Sequence, residues 1–184
     1  MKTRSYVMAI AALLALTLTA GAQSAPPAAK NIPDSIGHIW QNIGKDFVAL
    51  ADAMPEDKWS FKPTHGAFQD TRTFAEQVKH VACANEAWAK KVDLQKAPER
   101  CDLGGPNPAK SKPELMAYLR DSFAMVDKAI AATNAGNLVQ ATPGPYWGDT
   151  RLMSLTAAVW HVSDHYGQLV EYLRMNDIVP PASR

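Results

Sequence analysis

The stretch that decides the fold of this chain lies near its carboxyl end and is Trp160-His161-Val162-Ser163-Asp164-His165-Tyr166-Gly167-Gln168-Leu169. Its apolar residues recur at the spacing of a helix that packs one face against a core. At about 3.6 residues per turn, His161 and His165 lie on the same face of that helix, one turn apart. Two imidazoles in this arrangement can reach one transition-metal ion. The stretch therefore predicts a long helix that carries a candidate metal site.

The face that holds the two histidines continues with Gln168 and Tyr172. Burying four such side chains costs free energy unless each finds a hydrogen-bond partner or a metal. On spacing alone, two interpretations stay open. One is a solvated edge of a helical bundle, with Gln168 and Tyr172 at the surface. The other is a metal site.

Three earlier segments also show helical periodicity. We expect helices over about residues 34–52, 73–92 and 111–133, with the fourth helix running from about 149 or 150 to 176. The second and third begin with capping boxes, Thr73 to Glu76 and Ser111 to Glu114. The expected apolar stripes of the four helices, in chain order, are Ile36, Ile39, Trp40, Ile43, Phe47 and Leu50; Phe74, Val78, Val81, Trp88 and Val92; Leu115, Leu119, Phe123, Val126 and Ile130; and Val162, Leu169 and Leu173. The predicted fold is all-α, a four-helix bundle with long connecting loops rich in proline and glycine.

The first 22 residues read as a signal peptide. Lys2 and Arg4 precede an apolar run over residues 7–18, and Ala20-Gly21-Ala22 supplies a small-residue cleavage site. The apolar run is too short for a membrane anchor. We therefore predict a signal peptide over 1–22, a flexible lead-in over 23–33 and the bundle domain over 34–184. The predicted location is periplasmic or extracellular.

Charge excludes some partners. The whole chain has 19 Lys and Arg against 18 Asp and Glu, and the signal peptide removes only Lys2 and Arg4, so the mature net charge is 17 minus 18, or −1. So balanced a surface predicts no binding to nucleic acid or to an anionic membrane. The length after cleavage suits one domain.

The chain has two cysteines, Cys83 and Cys101. A pair of cysteines in an exported protein predicts a disulfide. The alternative is a thiolate ligand or a redox pair, although the spacing fits no CxxC motif.

Four segments carry a resemblance to a known family. They are Pro55 with residues 59–64, residues 73–82, residues 161–174 and the tail 176–183. Together they make the chain, from about Ile36 to Ser183, resemble the DinB/YfiT-like superfamily of four-helix-bundle proteins.

The resemblance implies a metal triad of His80, His161 and His165, which would bind one divalent ion. Three imidazoles leave at least one coordination position open. Zinc is the first expectation, with nickel, iron or copper as alternatives. Candidate residues to orient the rings are Asp164, Glu76, Asn85 and Gln168, although Glu76 already serves as a cap. The other two histidines, His38 and His65, are expected at the surface.

The family includes transferases and an isomerase that use small thiols, and export argues against those cofactors. The first functional hypothesis is therefore a metal-dependent hydrolase acting on a small molecule, with no catalytic residue assigned. The alternatives are a non-catalytic metal- or ligand-binding protein and a thiol-dependent transferase. The resemblance also suggests a homodimer.

Overall fold

The computed structural model describes residues 28–144 and 149–184, so the predicted signal peptide lies outside the described residues. In the described part the chain forms four α-helices: α1 (Ile32–Ala53), α2 (Phe74–Val92), α3 (Lys112–Ala131) and α4 (Arg151–Arg174). Short 3-10 turns occupy Glu56–Lys58, Cys101–Leu103 and Pro181–Ser183. No β-strand occurs within these ranges, so the predicted all-α fold is confirmed.

Both predicted capping boxes are present. The Thr73 hydroxyl accepts from the Glu76 backbone N–H, and the Glu76 carboxylate accepts from the Thr73 N–H at 2.7 Å. Ser111 and Glu114 form the same reciprocal pair at the start of α3. These contacts satisfy backbone donors that have no partner inside the helix. The starts of α2 and α3 were therefore predictable from a few adjacent residues.

The helices form a bundle in which α1 and α2 each pack mainly against α3 and α4. The long connections therefore cross the ends of the bundle. Between α1 and α3, Gly44 leaves room for the Phe123 ring, which lies 4.9 Å from the Trp40 ring. The largest fully buried side chains are Trp40, Phe47, Leu50, Met54, Phe74, Val78, Val81, Val92, Leu119, Leu155, Leu169 and Leu173.

Two details of α1 differ from the sequence prediction. The helix begins two residues early, at Ile32, because the Asn31 side chain caps it and Pro33 fits in its first turn. Ile39, expected in the core, is 55% exposed. It lies about 90° from the centre of the buried stripe at 100° per residue, so the bundle does not cover it.

A disulfide joins Cys83 of α2 to Cys101 in the following loop, with the two Cα atoms 5.3 Å apart. The predicted pairing is confirmed, and the cysteines are not thiolate ligands in this state. The loop is further fixed by Arg72, whose guanidinium donates two hydrogen bonds to the Asp102 carbonyl at 2.9 and 3.2 Å. None of the described helices combines the length and the apolar character needed to cross a membrane.

Candidate metal centre

The three predicted ligands come together where α2 packs against α4. His80 projects from the middle of α2, and His161 and His165 project from successive turns of α4. The buried apolar stripes fix the rotation of α2 and α4, and so the direction of these side chains. Their ligand atoms all lie within 4.8 Å of one another. The structure therefore brings together all three histidines on which the sequence prediction rested.

The Nε2 atoms converge on one point. The Nε2 of His161 lies 3.1 Å from that of His80 and 3.0 Å from that of His165. Imidazole nitrogens at 2.0–2.1 Å from a tetrahedral zinc ion are about 3.3 Å apart, close to these distances. An imidazole nitrogen carries either one hydrogen or one lone pair, so mutual hydrogen bonds cannot fully satisfy all three atoms. A single cation would use all three lone pairs, and the donor set therefore fits a metal.

The surroundings keep the rings neutral. His165 is 7% exposed, and His80 and His161 are half-buried. Burial, followed by the neighbouring histidines, lowers the pKa of His161 to about 2 and that of His165 to about 4. Burial also lowers the pKa of His80, and the Arg72 guanidinium opposes protonation of all three rings. Neutral imidazole is the form that binds metal.

His80 is oriented by the backbone. Its Nδ1 lies 2.6 Å from the carbonyl oxygen of Cys101. A carbonyl only accepts, so Nδ1 carries the hydrogen and Nε2 keeps its lone pair. Many metal-binding histidines are held by a bond of this kind. The Nε2 lone pair of His80 is therefore directed at the other two rings.

His165 is held by an amide relay between the two helices. The Gln77 amide lies 2.8 Å from His165 Nδ1 and also bonds to the Gln168 side chain. Gln168 in turn donates to the Asp164 carboxylate at 2.8 Å. The Gln77 amide nitrogen makes both of its contacts, so in this arrangement it donates to His165 Nδ1 and the ring hydrogen lies on Nε2. Turning the Gln77 amide would present its oxygen to an Nδ1–H group and free the Nε2 lone pair for a metal.

His161 is positioned by packing. The edge of Trp88 meets its ring with the centroids 4.8 Å apart. Its Nδ1 is buried and has no hydrogen-bond partner among the described residues. The orientation of this ring therefore depends on contact with its neighbours.

Of the four residues expected to orient the rings, the structure places two near His165 and gives the other two different partners. Gln168 and Asp164 belong to the relay behind His165. Glu76 bonds within its capping box, and Asn85 donates to Ser122 of α3. The prediction is wrong for Glu76 and Asn85, because each side chain has a nearer structural partner.

Two further expectations concerned surface positions. Tyr172 is 5% exposed and donates to the Arg72 carbonyl at 2.9 Å, so it is part of the packed wall. In the interpretation as a solvated edge both Gln168 and Tyr172 would lie at the surface, and only Gln168 is exposed. His65 is exposed as expected, whereas His38 is half-buried.

Sequence reasoning missed Gln77, Trp88 and Arg72. Gln77 lies three residues before His80, so helical spacing already placed it on the same face. Trp88 was assigned to the core stripe, and nothing local indicated that its edge would meet a histidine. Arg72 lies in the loop before α2, where the chain path is not predictable from periodicity.

Comparisons with known proteins bear on the fold and the family of the chain. A structure from Bacillus cereus ATCC 10987, a DinB-like protein, superposes with a TM-score of 0.64 at 15% identity, covering 84% of this chain and 98% of that one. At this identity the likeness concerns the fold. Among curated proteins, none matches the chain. The sequence pattern of the DinB superfamily matches residues 40–172, which include all three histidines. This chain belongs to the DinB superfamily.

Proposed function

We propose that the protein binds one divalent metal ion through His80, His161 and His165, and that this ion serves a hydrolytic reaction on a small molecule. The observation that carries the proposal is the convergence of three Nε2 atoms, at 3.0 and 3.1 Å, on rings that burial keeps neutral. Zinc is the first candidate because its usual tetrahedral shell accepts three imidazoles and leaves one position open.

The chemistry depends on access to that position. His80 and His161 are half-buried, so the cluster keeps some exposure to solvent. When bound, such an ion can polarise a substrate oxygen or lower the pKa of a coordinated water. The chain's own contribution is to hold the rings neutral, through burial, and oriented, through the Cys101 carbonyl and the Gln77 amide.

Export is a second part of the proposal. The Cys83–Cys101 disulfide supports it, because such bonds persist mainly in oxidising compartments. The signal-peptide pattern at residues 1–22 supports it independently. Fractionation of cells that produce the full-length chain tests it, and a cytoplasmic, uncleaved product would contradict it.

Non-catalytic metal binding is the second candidate function. It is favoured by the neutral character of the groups that contact the rings, a backbone carbonyl and an amide. A proton acceptor in direct contact with the rings would favour catalysis, since hydrolysis benefits from a positioned general base.

Metal analysis tests the binding. Protein stripped with a chelator and reloaded with Zn²⁺, Ni²⁺ or Fe²⁺ should retain one ion per chain, and His161→Ala/His165→Ala should retain none. The chain offers a matched control in His38→Ala/His65→Ala, which removes the two histidines outside the cluster and should bind normally. One metal ion per chain retained by His161→Ala/His165→Ala would place the site elsewhere.

Activity separates the two functions. The loaded protein is assayed against panels of carboxylic esters, amides and phosphate esters, and for thiol transfer. Hydrolysis that disappears in His161→Ala/His165→Ala supports the hydrolase. Stoichiometric metal with no turnover supports a binding protein, and thiol transfer alone would overturn the hydrolytic proposal.

A further inference from the structure

The disulfide and the histidine cluster meet at a single residue. Cys101 forms the disulfide through its side chain, and its carbonyl oxygen is the partner of His80 Nδ1 at 2.6 Å. On α2, Cys83 lies three residues after His80, so both side chains project from the same face. One covalent bond and one hydrogen bond thus tie the same loop residue to adjacent turns of the helix.

The loop around Cys101 is shaped by these contacts. Arg100, Gly104 and Gly105 have φ values of 59°, 85° and 70°, which lie in the left-handed region. A side chain at Gly105 would overlap the Cys83 sulfur, and one at Gly104 would meet Lys79 at 3.0 Å. The backbone can therefore approach α2 this closely only with glycine at both positions.

The loop has little else to hold it. Asp102 and Leu103 are exposed, and Leu103 is 69% exposed although it is apolar. Within the described residues, the Cys101–Leu103 turn is otherwise attached through the bonds of Arg72 to the Asp102 carbonyl and through the His80 contact itself. A short exposed segment gains conformational entropy when a covalent tie is removed. The position of the Cys101 carbonyl therefore depends strongly on the disulfide.

We infer that the Cys83–Cys101 disulfide is a positioning element of the histidine site. It holds the Cys101 carbonyl against His80 Nδ1, which keeps the hydrogen on Nδ1 and the lone pair of Nε2 directed at His161 and His165. Without the bond, the loop moves away, the His80 ring populates both tautomers, and the site binds metal less tightly. The consequence for metal rests on the proposed function, whereas the effect on the tautomer does not require metal.

The test uses Cys83→Ser/Cys101→Ser, in which no free thiol is left to bind metal. Nitrogen-15 NMR of the metal-free protein at pH 7.5 reports which ring nitrogen of His80 carries hydrogen. The native protein should show hydrogen on Nδ1 alone, and the variant should show both tautomers. Zinc affinity, measured by competition with a chromophoric chelator, should fall about 10–100-fold, as it does when an outer partner of a ligand is lost.

Two controls separate positioning from general stability. Ile130→Ala removes packing against Gly37 between α1 and α3, and should lower the melting temperature without changing the His80 tautomer. Arg72→Met removes the other attachment of the loop while the disulfide remains, and should shift the His80 tautomer less than the double serine variant does. A shifted tautomer in Ile130→Ala would reduce the disulfide's role to stability.

The remaining outcomes are also decisive. If the double serine variant does not fold, the disulfide of the native chain is reduced with a phosphine and the same spectra are recorded. The reduction yields two thiols, and the phosphine becomes the phosphine oxide with oxygen from water. An unchanged His80 tautomer without the disulfide overturns the inference. If the native protein binds no zinc but the tautomer still depends on the disulfide, the proposed function fails and the positioning role stands.

Discussion

At the scale of single residues, the site is defined by which nitrogen of each ring carries hydrogen. The carbonyl at His80 Nδ1 imposes one tautomer, whereas the Gln77 amide at His165 Nδ1 donates through its nitrogen and must turn over for the other tautomer to form. His161 has no such partner within the described residues and relies on the edge of Trp88. The three ligands are thus held by three different means, and they should respond differently to mutation of their neighbours.

Gln77 should matter more than Gln168. Replacing Gln77 by Leu removes the group that contacts the His165 ring, and an outer partner of this kind typically contributes about 10–100-fold in metal affinity. Gln168 acts on the ring more weakly, through its bond to Gln77 and a side-chain hydrogen bond that raises the pKa of His165. Gln168→Ala should therefore weaken zinc binding modestly and leave the fold intact. Competition with a chromophoric chelator measures the zinc affinity of both variants. A loss in Gln168→Ala as severe as that in His165→Ala would make Gln168 itself a ligand.

The stability of the metal-free protein should fall on acidification. The folded pKa of His161 is about 2 and that of His165 about 4, both below the ordinary value of 6.5. Between each folded pKa and 6.5 the unfolded chain binds more protons than the folded chain. The stabilising contribution is therefore complete above pH 6.5 and is lost progressively as the pH falls from 6.5 toward the folded pKa. For His165 the loss is of the order of 2 kcal/mol at pH 5.

Denaturant unfolding between pH 8 and pH 5, with a chelator present, measures this dependence. The variant His165→Gln cannot take up the proton, so its stability should fall less steeply over the same range. Parallel curves for the two proteins would show that His165 is not held neutral by the fold.

At the scale of secondary-structure elements, α2 and α4 carry the site because each has a defined start and a defined buried face. The Thr73 cap fixes where α2 begins, seven residues before His80. Thr150 caps α4 in the same way, its side chain accepting from the Met153 N–H. The rotation of both helices is then set by the buried residues that pack between them.

Removing a cap should cost stability without removing the site. Thr73→Ala and Ser111→Ala should each lower the free energy of unfolding by about 1 kcal/mol, the usual effect of losing a hydroxyl at this position. Thr73→Ser and Ser111→Thr keep the capping oxygen and serve as matched controls. Denaturant titration measures the difference. Equal stability of the alanine and hydroxyl variants would show that these bonds do not stabilise the helices.

The elements were largely predictable because their signals are local. The capping boxes and the stripe of Val162, Leu169 and Leu173 need only residues within one helix, and the structure confirms them. Ile39 was misplaced because periodicity does not say which flank of a stripe a neighbour will cover. The contact of Gln77 with His165 joins residues 88 positions apart, so no local pattern could predict it.

At the scale of the whole molecule, the bundle explains how a short chain can build a polar site beside a packed core. The histidines lie where α2 packs against α4, two of them half-buried, and the disulfide closes the loop beside them. The triad itself was predicted from the family resemblance, and the structure brings its members together. The orienting contacts were mostly missed, because they depend on how loops and helices meet.

Assembly is the remaining expectation at this scale. The family resemblance suggests a homodimer, and a mature net charge of −1 would not oppose association of two copies. Light scattering of the mature protein at micromolar concentration should give twice the mass of one chain. A monomer mass across that range would contradict the expectation.

The central claim is that three imidazoles bind one metal ion. X-ray absorption spectroscopy of the zinc-loaded protein measures the ligand set directly. Three imidazole nitrogens at about 2.0–2.1 Å, with one further light atom from water or substrate, is the expected result. A shell with sulfur, or with fewer than three imidazoles, would contradict the account.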